Sequence, residues 1–439
     1  MDCQNKTMPL LSIVIPTRNR IPYAISAIQS ILEISDPRLE LVVQDNSESR
    51  ALEAWIQINI RDSRLRYSYY GRPLSFVDNF NAAVKSASGE YLCLIGDDDG
   101  VNPEIMKAAE WVQRESIDSL SVRTKVNFIW PDAGIPATIF TKVTGGVLSI
   151  FNFRGNIIDT DGEKEMRAFV RDGGINYLSH NLPKLYHGLV HRGCLETIKK
   201  TTGAYFGGLS PDIFASLAIA CVAKRMVMTD YPLTLPGACG VSASIIEGVH
   251  KRNSKRLEDA PHFRDRGEYY WSELVPRIYS VETIWADSAV AAFHAMGRDD
   301  LVRQLNLPKL AAYCIWANRG VAQPVMRDLF RAMRILRKNI AIGTIQFAWR
   351  YLLLIKGLGV KFVNRAWNRF LMIIGMRVIC RIDGLENMVE ASHALTRFLT
   401  ENGYSFSDCE LSREMKDSRV SNSELVNARR CERKNGRKS

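Results

Sequence analysis

The sequence predicts an α/β fold with a mostly parallel sheet, followed by an α-helical C-terminal extension. In about the first hundred residues, short apolar and β-branched runs alternate with segments whose apolar residues recur at helical spacing, the pattern of a parallel sheet connected by helices. From residue 264 onward, helical spacing dominates and turn signals are few. The 439 residues, of which 46% are hydrophobic and 24% charged, suffice for about two or three globular domains.

Strands and helices are assigned from apolar runs and from the residues that interrupt them. Leu11 to Ile15 is a β-branched run that Pro16 stops, so we expect a buried parallel strand. The first helix follows Pro22, and Asp36-Pro37 marks its end. The remaining predicted elements are strands at 39–43, 65–70 and 91–95 and helices at 51–60 and 76–86.

Charge, cysteine content and hydropathy exclude several classes of protein. The chain carries 58 Lys or Arg and 47 Asp or Glu, a net charge of +11, and ten of the basic residues lie between Arg331 and Cys380 without any acidic residue. Nine scattered cysteines without a CxxC pair indicate a reducing cytosol rather than a disulfide framework or structural zinc. No basic region leads into an apolar core near Met1, so no signal peptide is expected. No run reaches the roughly 18 apolar residues of a spanning helix.

Three adjacent aspartates, Asp97 to Asp99, follow the fourth predicted strand in a glycine-flanked turn. Ligands of parallel α/β sheets bind beyond the carboxyl ends of the strands, where neighbouring carboxylates repel one another unless a cation or water separates them. Oxygen ligands suit Mg²⁺ or Mn²⁺, which commonly bind with substrate phosphates. The turn therefore predicts a nucleoside-diphosphate site, and the alternative is a solvated acidic turn. Polar residues that follow the first two strands are Thr17, Arg18, Asn19, Asp45 and Asn46.

A second candidate is the carboxylate of Asp212, which follows Ser210 and Pro211 at the start of a predicted helix. Serine at the cap, proline in the first turn and an acidic residue beside it form an ordinary helix N-terminus. The competing interpretation is a catalytic base at the mouth of a site. The pattern by itself favours the structural interpretation, because helix caps are far more common than catalytic bases.

Four motifs follow one another across the first hundred residues or so. They are Leu11 to Arg20, Val42 to Ser47, Asn79 to Ala83 and Ser88 to Asp99. Together they resemble the motifs of the family-two glycosyltransferases, which are inverting nucleotide-sugar transferases with the GT-A nucleotide-sugar-binding fold. The resemblance weakens after residue 118, returns over 185–190 and 205–220, and fades beyond about residue 250.

The resemblance implies a role for each matched residue. Asp212 would be the general base, which reverses the interpretation that the helix pattern alone favours. Asp98 and Asp99 would hold Mn²⁺ or Mg²⁺. Because Gly96 stands where the family often has an acidic residue, the resemblance leaves open which two of the three aspartates bind the metal. The implied donor-binding residues are Pro16, Thr17, Arg18, Asp45, Asn81 and Asp97.

The chain is expected to divide into three regions. Residues 1–250 would form the GT-A domain, with a nucleotide-sugar-binding half at 1–118 and an acceptor half at 119–250. Residues 251–400 would form the helical extension. Residues 401–439 are highly polar and are expected to be a disordered tail.

Two segments near the later boundaries have open interpretations. The glycine-containing stretch 236–244 is typical of a loop that closes over a donor, and His250 would then reach the metal or diphosphate, or else lie on the surface. Val360 to Leu371 predicts a basic amphipathic helix. Such a helix contacts an anionic membrane or packs on the catalytic domain with its basic stripe in water.

The resemblance implies a metal-dependent inverting transferase. It would move a sugar from a nucleoside-diphosphate sugar to a hydroxyl of a glycan or lipid-linked acceptor in bacterial surface polysaccharide synthesis. Its expected location is the cytoplasm, with peripheral contact at the inner face of the plasma membrane. The alternatives are a non-catalytic nucleotide-sugar-binding scaffold and a sugar nucleotidyltransferase. Nucleic acid is not an expected partner, because no nucleic-acid-binding module is recognisable.

Overall fold

The computed structural model describes residues 8–133, 145–240, 257–259, 261–354, 378–409 and 411–412. Its strands, in chain order, are β1 (Leu11–Thr17), β2 (Leu39–Asp45), β3 (Leu65–Tyr69), β4 (Tyr91–Leu94), β5 (Gly100–Val101), β6 (Ser119–Val122), β7 (Val126–Ile129), β8 (Gly146–Phe151), β9 (Ile157–Thr160), β10 (Gly188–His191), β11 (Met226–Thr229), β12 (Thr234–Leu235), β13 (Gly237–Ala238), β14 (Val378–Leu385) and β15 (Leu411–Ser412).

Helices connect these strands and continue after them. They are α1 (Ile21–Leu32), α2 (Ala51–Asn59), α3 (Phe76–Ser86), α4 (Ile105–Arg114), α5 (Gly162–Arg171), α6 (Arg192–Thr202), α7 (Pro211–Val222), α8 (Val281–Ala295), α9 (Asp299–Gln304), α10 (Leu307–Ala317), α11 (Ala322–Ile335), α12, which is helical over 340–354, and α13 (Met388–Glu401).

The largest sheet is mixed and mostly parallel, as predicted. β1 pairs in parallel with β2 and β4, β2 with β3, and β6 with β11. β10 lies between β4 and β6 and runs antiparallel to both. The full order is β15-β9-β11-β6-β10-β4-β1-β2-β3. The carboxyl ends of β1, β2 and β4 therefore meet at one edge, which is where the site is expected.

The predicted elements of the first hundred residues or so are confirmed. β1 and β2 each run two residues farther than expected, to Thr17 and Asp45. Pro16 remains within β1 because it lies near the end of the strand, where a missing N–H group removes little of the ladder. Ile13 and Val14 belong to different hydrophobic clusters, so apolar groups cover both faces of the sheet and both strands are buried along their whole length.

The C-terminal extension packs closely against the rest of the fold. α8 lies on α7, and the Ser288 hydroxyl on α8 accepts hydrogen bonds from the backbone N–H groups of Leu209 and Ser210, at 3.1 and 2.9 Å. α13 packs on α1, where the N–H of Met388 donates to Oγ of Ser26 at 2.9 Å. The extension therefore helps to fix both the start of α7 and the outer face of α1.

Two expectations about the C-terminal part are corrected. The extension contains a strand as well as helices, because β14 pairs antiparallel with β8 along its length. The tail was expected to begin at residue 401, but 401–409 continue the fold and Phe406 is buried against Trp111 and Tyr231. The polar composition of 401–439 did not indicate that Phe406 would be buried in the core.

Several predicted features lie outside the described residues. They include His250, the later part of the 236–244 loop and the basic helix at 360–371. Within the ranges that the structure does describe, no helix combines the length and the apolar character needed to cross a bilayer.

Candidate active site

The acidic turn lies at the carboxyl end of β4, next to the end of β1. The side chains of Asp97, Asp98 and Asp99 are almost completely buried. Buried carboxylates are costly unless they are paired with cations or accept hydrogen bonds. The turn is therefore a buried acidic cluster that needs protein partners, and not the solvated acidic loop of the alternative interpretation.

Arg20 supplies a cation to the first two aspartates. Its Nη1 atom lies 2.8 Å from Oδ1 of Asp97 and its Nη2 atom 2.9 Å from Oδ2 of Asp98. Nη2 also contacts the sulfur of Cys239, and Thr17 donates to the other oxygen of Asp97 at 2.6 Å. Burial lowers the pKa of Arg20, but the charges of the two aspartates outweigh it and hold the pKa above its usual range. Arg20 is thus charged at any physiological pH.

The carboxylate of Asp99 points toward protein groups. One oxygen accepts the N–H of Gly237 at 2.7 Å, and the other accepts the N–H of Gly96 at 2.7 Å and the Tyr186 hydroxyl at 2.8 Å. His187 Nε2 lies 3.2 Å from that second oxygen. Burial raises the pKa of Asp99, but the histidine and the donated hydrogen bonds lower it below its usual value overall.

Two glycines permit the close packing of this turn. A Cβ atom on Gly237 would lie 1.8 Å from the carbonyl oxygen of Asp98, which is too close for any side chain. A Cβ on Gly96 would lie 2.7 Å from the Tyr186 hydroxyl. The same carbonyl of Asp98 accepts the indole N–H of Trp130 at 2.9 Å. An acidic residue, common in the related family at position 96, would therefore collide with Tyr186 here.

Asp212 lies in the first turn of α7, as predicted, and is half-buried. The Ser210 side chain makes no capping hydrogen bond, so this helix start is not held in the ordinary way that the sequence pattern suggests. The pKa of Asp212 is raised to about 6, chiefly by burial. The charge of Asp99 also raises this pKa, whereas His187 and Lys184 lower it. These effects place Asp212 in the electrostatic environment of the acidic turn.

Residues 12–153 match the family model described as Glycosyl transferase family 2. This part of the chain belongs to that family. Over 158 residues the chain is 28% identical to the poly(ribitol-phosphate) beta-N-acetylglucosaminyltransferase TarS of Staphylococcus aureus, a match that covers 34% of this chain and 26% of TarS. Over 103 residues it is 32% identical to the putative colanic acid biosynthesis glycosyl transferase WcaA of Escherichia coli, covering 22% of this chain and 36% of WcaA.

The matched segments span only about a quarter of TarS and little more than a third of WcaA. A crystal structure of S. aureus TarS 1-349 in complex with UDP-GlcNAc aligns with 80% of this chain and 92% of that chain, at 14% identity and a TM-score of 0.39. A score this low carries no argument about the site.

Asp97, one of the six residues predicted to bind the donor, belongs to the acidic turn itself. Two more, Pro16 and Thr17, end β1, and Thr17 donates to Asp97 at 2.6 Å. Arg18 points elsewhere, since its Nη1 atom lies 2.6 Å from Oδ2 of Asp265. The predicted roles of these residues toward a donor stay predictions.

The other two predicted donor-binding residues are engaged within the protein. Asp45 is fully buried and accepts the Tyr67 hydroxyl and the N–H of Ser47, both at 2.8 Å. The Asn81 amide donates to the carbonyls of Val77 and Phe206 and accepts the N–H groups of Tyr205 and Phe206. These bonds use the full capacity of the amide, so Asn81 ties α3 to the loop before α7.

Three side chains that contact the acidic turn were not assigned a role from the sequence. Arg20, Tyr186 and His187 each reach one of its carboxylates. The repulsion among three aspartates did indicate a cation, and Arg20 follows β1 at the same sheet edge. Tyr186 and His187 follow no comparable pattern, although the family resemblance returns around them.

Proposed function

We propose that this chain is an inverting glycosyltransferase. It moves a sugar from a nucleoside-diphosphate sugar to a hydroxyl of a glycan or lipid-linked acceptor in bacterial surface polysaccharide synthesis. The observation that carries the proposal is an electrostatic interaction between two separate elements of a chain that matches a family 2 model: the charge of Asp99 in the acidic turn after β4 raises the pKa of Asp212 on α7. Tyr186, which donates to Asp99, is also influenced by the charge of Asp212. The activities named for TarS and WcaA support the reaction class and the surface-polymer context.

Asp212 is the proposed general base. An acceptor hydroxyl attacks the anomeric carbon on the face opposite the nucleoside diphosphate, so the new C–O bond forms as the bond to the diphosphate breaks. The hydroxyl proton passes to Asp212, a contribution of roughly 10²- to 10⁴-fold. A pKa of about 6 leaves this carboxylate ionised at neutral pH and more basic than an ordinary aspartate.

Arg20 and the acidic turn form the proposed leaving-group side of the site. The guanidinium is held by Asp97 and Asp98 but keeps a partly exposed side chain, so it is available to donate hydrogen bonds to a diphosphate. Guanidinium groups bind phosphate oxygens in a forked geometry. Negative charge that grows on the departing diphosphate would be stabilised by such preorganised donors.

A divalent metal at this turn would bind more tightly together with the donor than alone. Among the described residues no group of three or more His, Cys, Asp or Glu side chains could hold a metal ion. Asp98 is the better of the two predicted ligands, because the Asp99 oxygens already accept several hydrogen bonds from the protein. Bound there with diphosphate oxygens completing its shell, Mn²⁺ or Mg²⁺ would act as a Lewis acid toward the leaving group.

A donor screen tests the proposal without knowledge of the acceptor. The purified full chain would be heated with UDP-, GDP- and dTDP-linked sugars, in the presence of Mn²⁺ and then of EDTA, and its melting temperature recorded. We expect stabilisation by one nucleotide class, following the mass-action relation between ligand concentration and stability. No stabilisation by any donor in the presence of metal would contradict the proposed donor site.

The two alternative functions predict different products. A sugar nucleotidyltransferase would release pyrophosphate, whereas a glycosyltransferase releases a nucleoside diphosphate. A non-catalytic scaffold would bind the donor but release neither compound with any acceptor. Chromatography of the nucleotides after incubation with donor and candidate acceptors separates all three. The cytoplasmic location with peripheral membrane contact belongs to the same proposal and is tested by fractionation of cells that express the full chain.

A further inference from the structure

Helix α12 exposes a continuous apolar face. Five large apolar side chains on it are between 40% and 69% exposed. At 3.6 residues per turn they fall within an arc of roughly 100° on one side of the helix. They are Ile342, Ile345, Trp349, Leu352 and Leu353. Large exposed apolar groups gathered on one face indicate an interaction surface rather than the scattered single residues of an ordinary surface.

The opposite side of the same helix fixes its orientation. Ile340, Phe347 and Tyr351 pack against the hydrophobic core, and the rings of Phe347 and Tyr351 stack with centroids 5.8 Å apart. The helix is thus apolar on both sides, although only one side meets the protein. An ordinary surface helix would carry polar or charged residues on the outer side.

Basic residues flank this face in the sequence. The only charged residue of α12 is Arg350, which is exposed, and the exposed Arg334 and Arg337 precede the helix. From Arg331 to Cys380 the sequence contains ten Lys or Arg and no Asp or Glu. An apolar stripe without acidic residues, next to basic ones, has the composition of helices that lie in the interface of an anionic bilayer.

We propose that α12 docks the protein onto an anionic membrane surface, with Ile345 and Trp349 at the centre of the buried face. The helix would lie in the plane of the interface, consistent with the finding that no helix in the described part of the chain can cross a bilayer. A second copy of the chain fits less well, because two basic surfaces repel each other. Nucleic acid would use the arginines but leave the apolar face in water. This inference assigns the peripheral membrane contact of the proposed function to one surface of the fold, and it does not depend on the transfer reaction.

Vesicle sedimentation tests the proposal directly. The full chain would be spun with vesicles of phosphatidylcholine alone, or of phosphatidylcholine mixed with phosphatidylglycerol. We expect binding to the mixed vesicles, weakened by salt and roughly tenfold weaker in Trp349→Glu and Ile345→Glu. Ile58→Glu on α2 is the matched control, because the Ile58 side chain is 76% exposed and lies outside this face. Equal loss in all three variants, or no binding by the unmodified chain, overturns the proposal.

Fluorescence provides a second measurement that does not require a disruptive variant. Brominated lipids in the mixed vesicles should quench part of the tryptophan emission. Trp349→Phe keeps the face apolar, so it should bind the vesicles as the unmodified chain does while losing that quenching. Unchanged quenching in Trp349→Phe contradicts the placement of α12 in the bilayer. Light scattering without lipid checks the rival occupant: a dimer that Trp349→Glu dissociates would assign the face to a second copy and refute the membrane assignment.

Discussion

The Nη2 atom of Arg20 lies 2.9 Å from Oδ2 of Asp98, so a cation from the loop after β1 already occupies the space in front of the acidic turn. The same guanidinium reaches Asp97 through its other terminal nitrogen. A divalent metal that binds Asp98 must therefore compete with Arg20, or bind after donor phosphates have drawn the guanidinium away from the carboxylate. The negative charge of the acidic turn is balanced by Arg20 from the loop after β1, and a bound donor would change that balance.

Replacing Arg20 by methionine should change metal and donor binding in opposite directions. Without the guanidinium, the positive charge of Arg20 no longer competes with Mn²⁺ for the carboxylates of Asp97 and Asp98. Mn²⁺ binding in the absence of donor should therefore become roughly tenfold tighter. Donor binding should weaken, because phosphate contacts are lost. Titration calorimetry measures both affinities, and Arg20→Lys is the matched control that keeps the charge. Equal Mn²⁺ affinity in Arg20→Met and the unmodified chain would show that Arg20 does not compete for the turn.

Replacing Asp212 by asparagine should remove transfer while sparing donor binding. The amide keeps the size of the side chain but cannot accept the hydroxyl proton, so kcat should fall by roughly 10²- to 10⁴-fold. Asp161→Asn is a suitable control, because Asp161 caps α5 by accepting the N–H of Lys164 and asparagine caps a helix equally well. Steady-state rates together with donor affinities separate the two effects. Undiminished turnover in Asp212→Asn would assign the base elsewhere.

Transfer should depend on pH through the same carboxylate. The pKa of Asp212 is raised to about 6, so the group keeps its proton at pH values where an ordinary aspartate, with a pKa of about 4, has lost it. Only the ionised form accepts a proton. We therefore expect kcat to rise as the pH increases through about 6 and to level off near neutrality.

Lys184 offers a specific check on that assignment. Its charge lowers the pKa of Asp212, so Lys184→Met should move the rising limb of the kcat profile to higher pH, and Lys184→Arg should leave it in place. A limb that does not move between these two variants would indicate that a group other than Asp212 controls the profile.

Gly237→Ala should damage the acidic turn directly. The added Cβ would lie 1.8 Å from the carbonyl oxygen of Asp98, so the backbone must shift. The hydrogen bond from the N–H group at position 237 to the Asp99 carboxylate must then lengthen. Overpacking of this kind costs about 1–3 kcal/mol of unfolding free energy, and donor binding should weaken as well. Gly267→Ala is the control, because no atom lies within 4 Å of its added Cβ. Denaturant unfolding and donor titration give the two readouts, and equal stability of both variants would argue against a tight turn.

The strands and helices of the N-terminal half follow from local sequence, whereas the later pairings do not. β1, β2 and β4 are predictable because each is a buried, mainly apolar run with a clear interruption on both sides. β10 has no local feature that indicates its antiparallel position between β4 and β6. The pairing of β14 with β8 joins two segments that lie far apart in the sequence, and neither segment encodes its partner.

The candidate site shows the same division. The acidic turn is visible in the sequence because three aspartates follow an apolar strand, and its need for a cation follows from electrostatics. Asp212 was recognised only through a family resemblance, since its local pattern is that of a helix start. Asn81 and Asp45 are predicted to bind a donor, and that role stays a prediction; their hydrogen bonds with Tyr205 and Tyr67 were not predictable from the sequence. The direction in which a polar side chain points is decided by tertiary packing.

The attachment of α13 to α1 has a consequence for how the chain is made and shortened. Met388 and Ser26 bond to each other across nearly the whole length of the chain. During synthesis on the ribosome, the side of α1 that carries Ser26 stays uncovered until almost all of the protein has been made. A fragment that ends near residue 250 would lack α13, so this side of α1 would stay uncovered and the fragment should be insoluble. A fragment that extends through residue 412 would keep the covering helix.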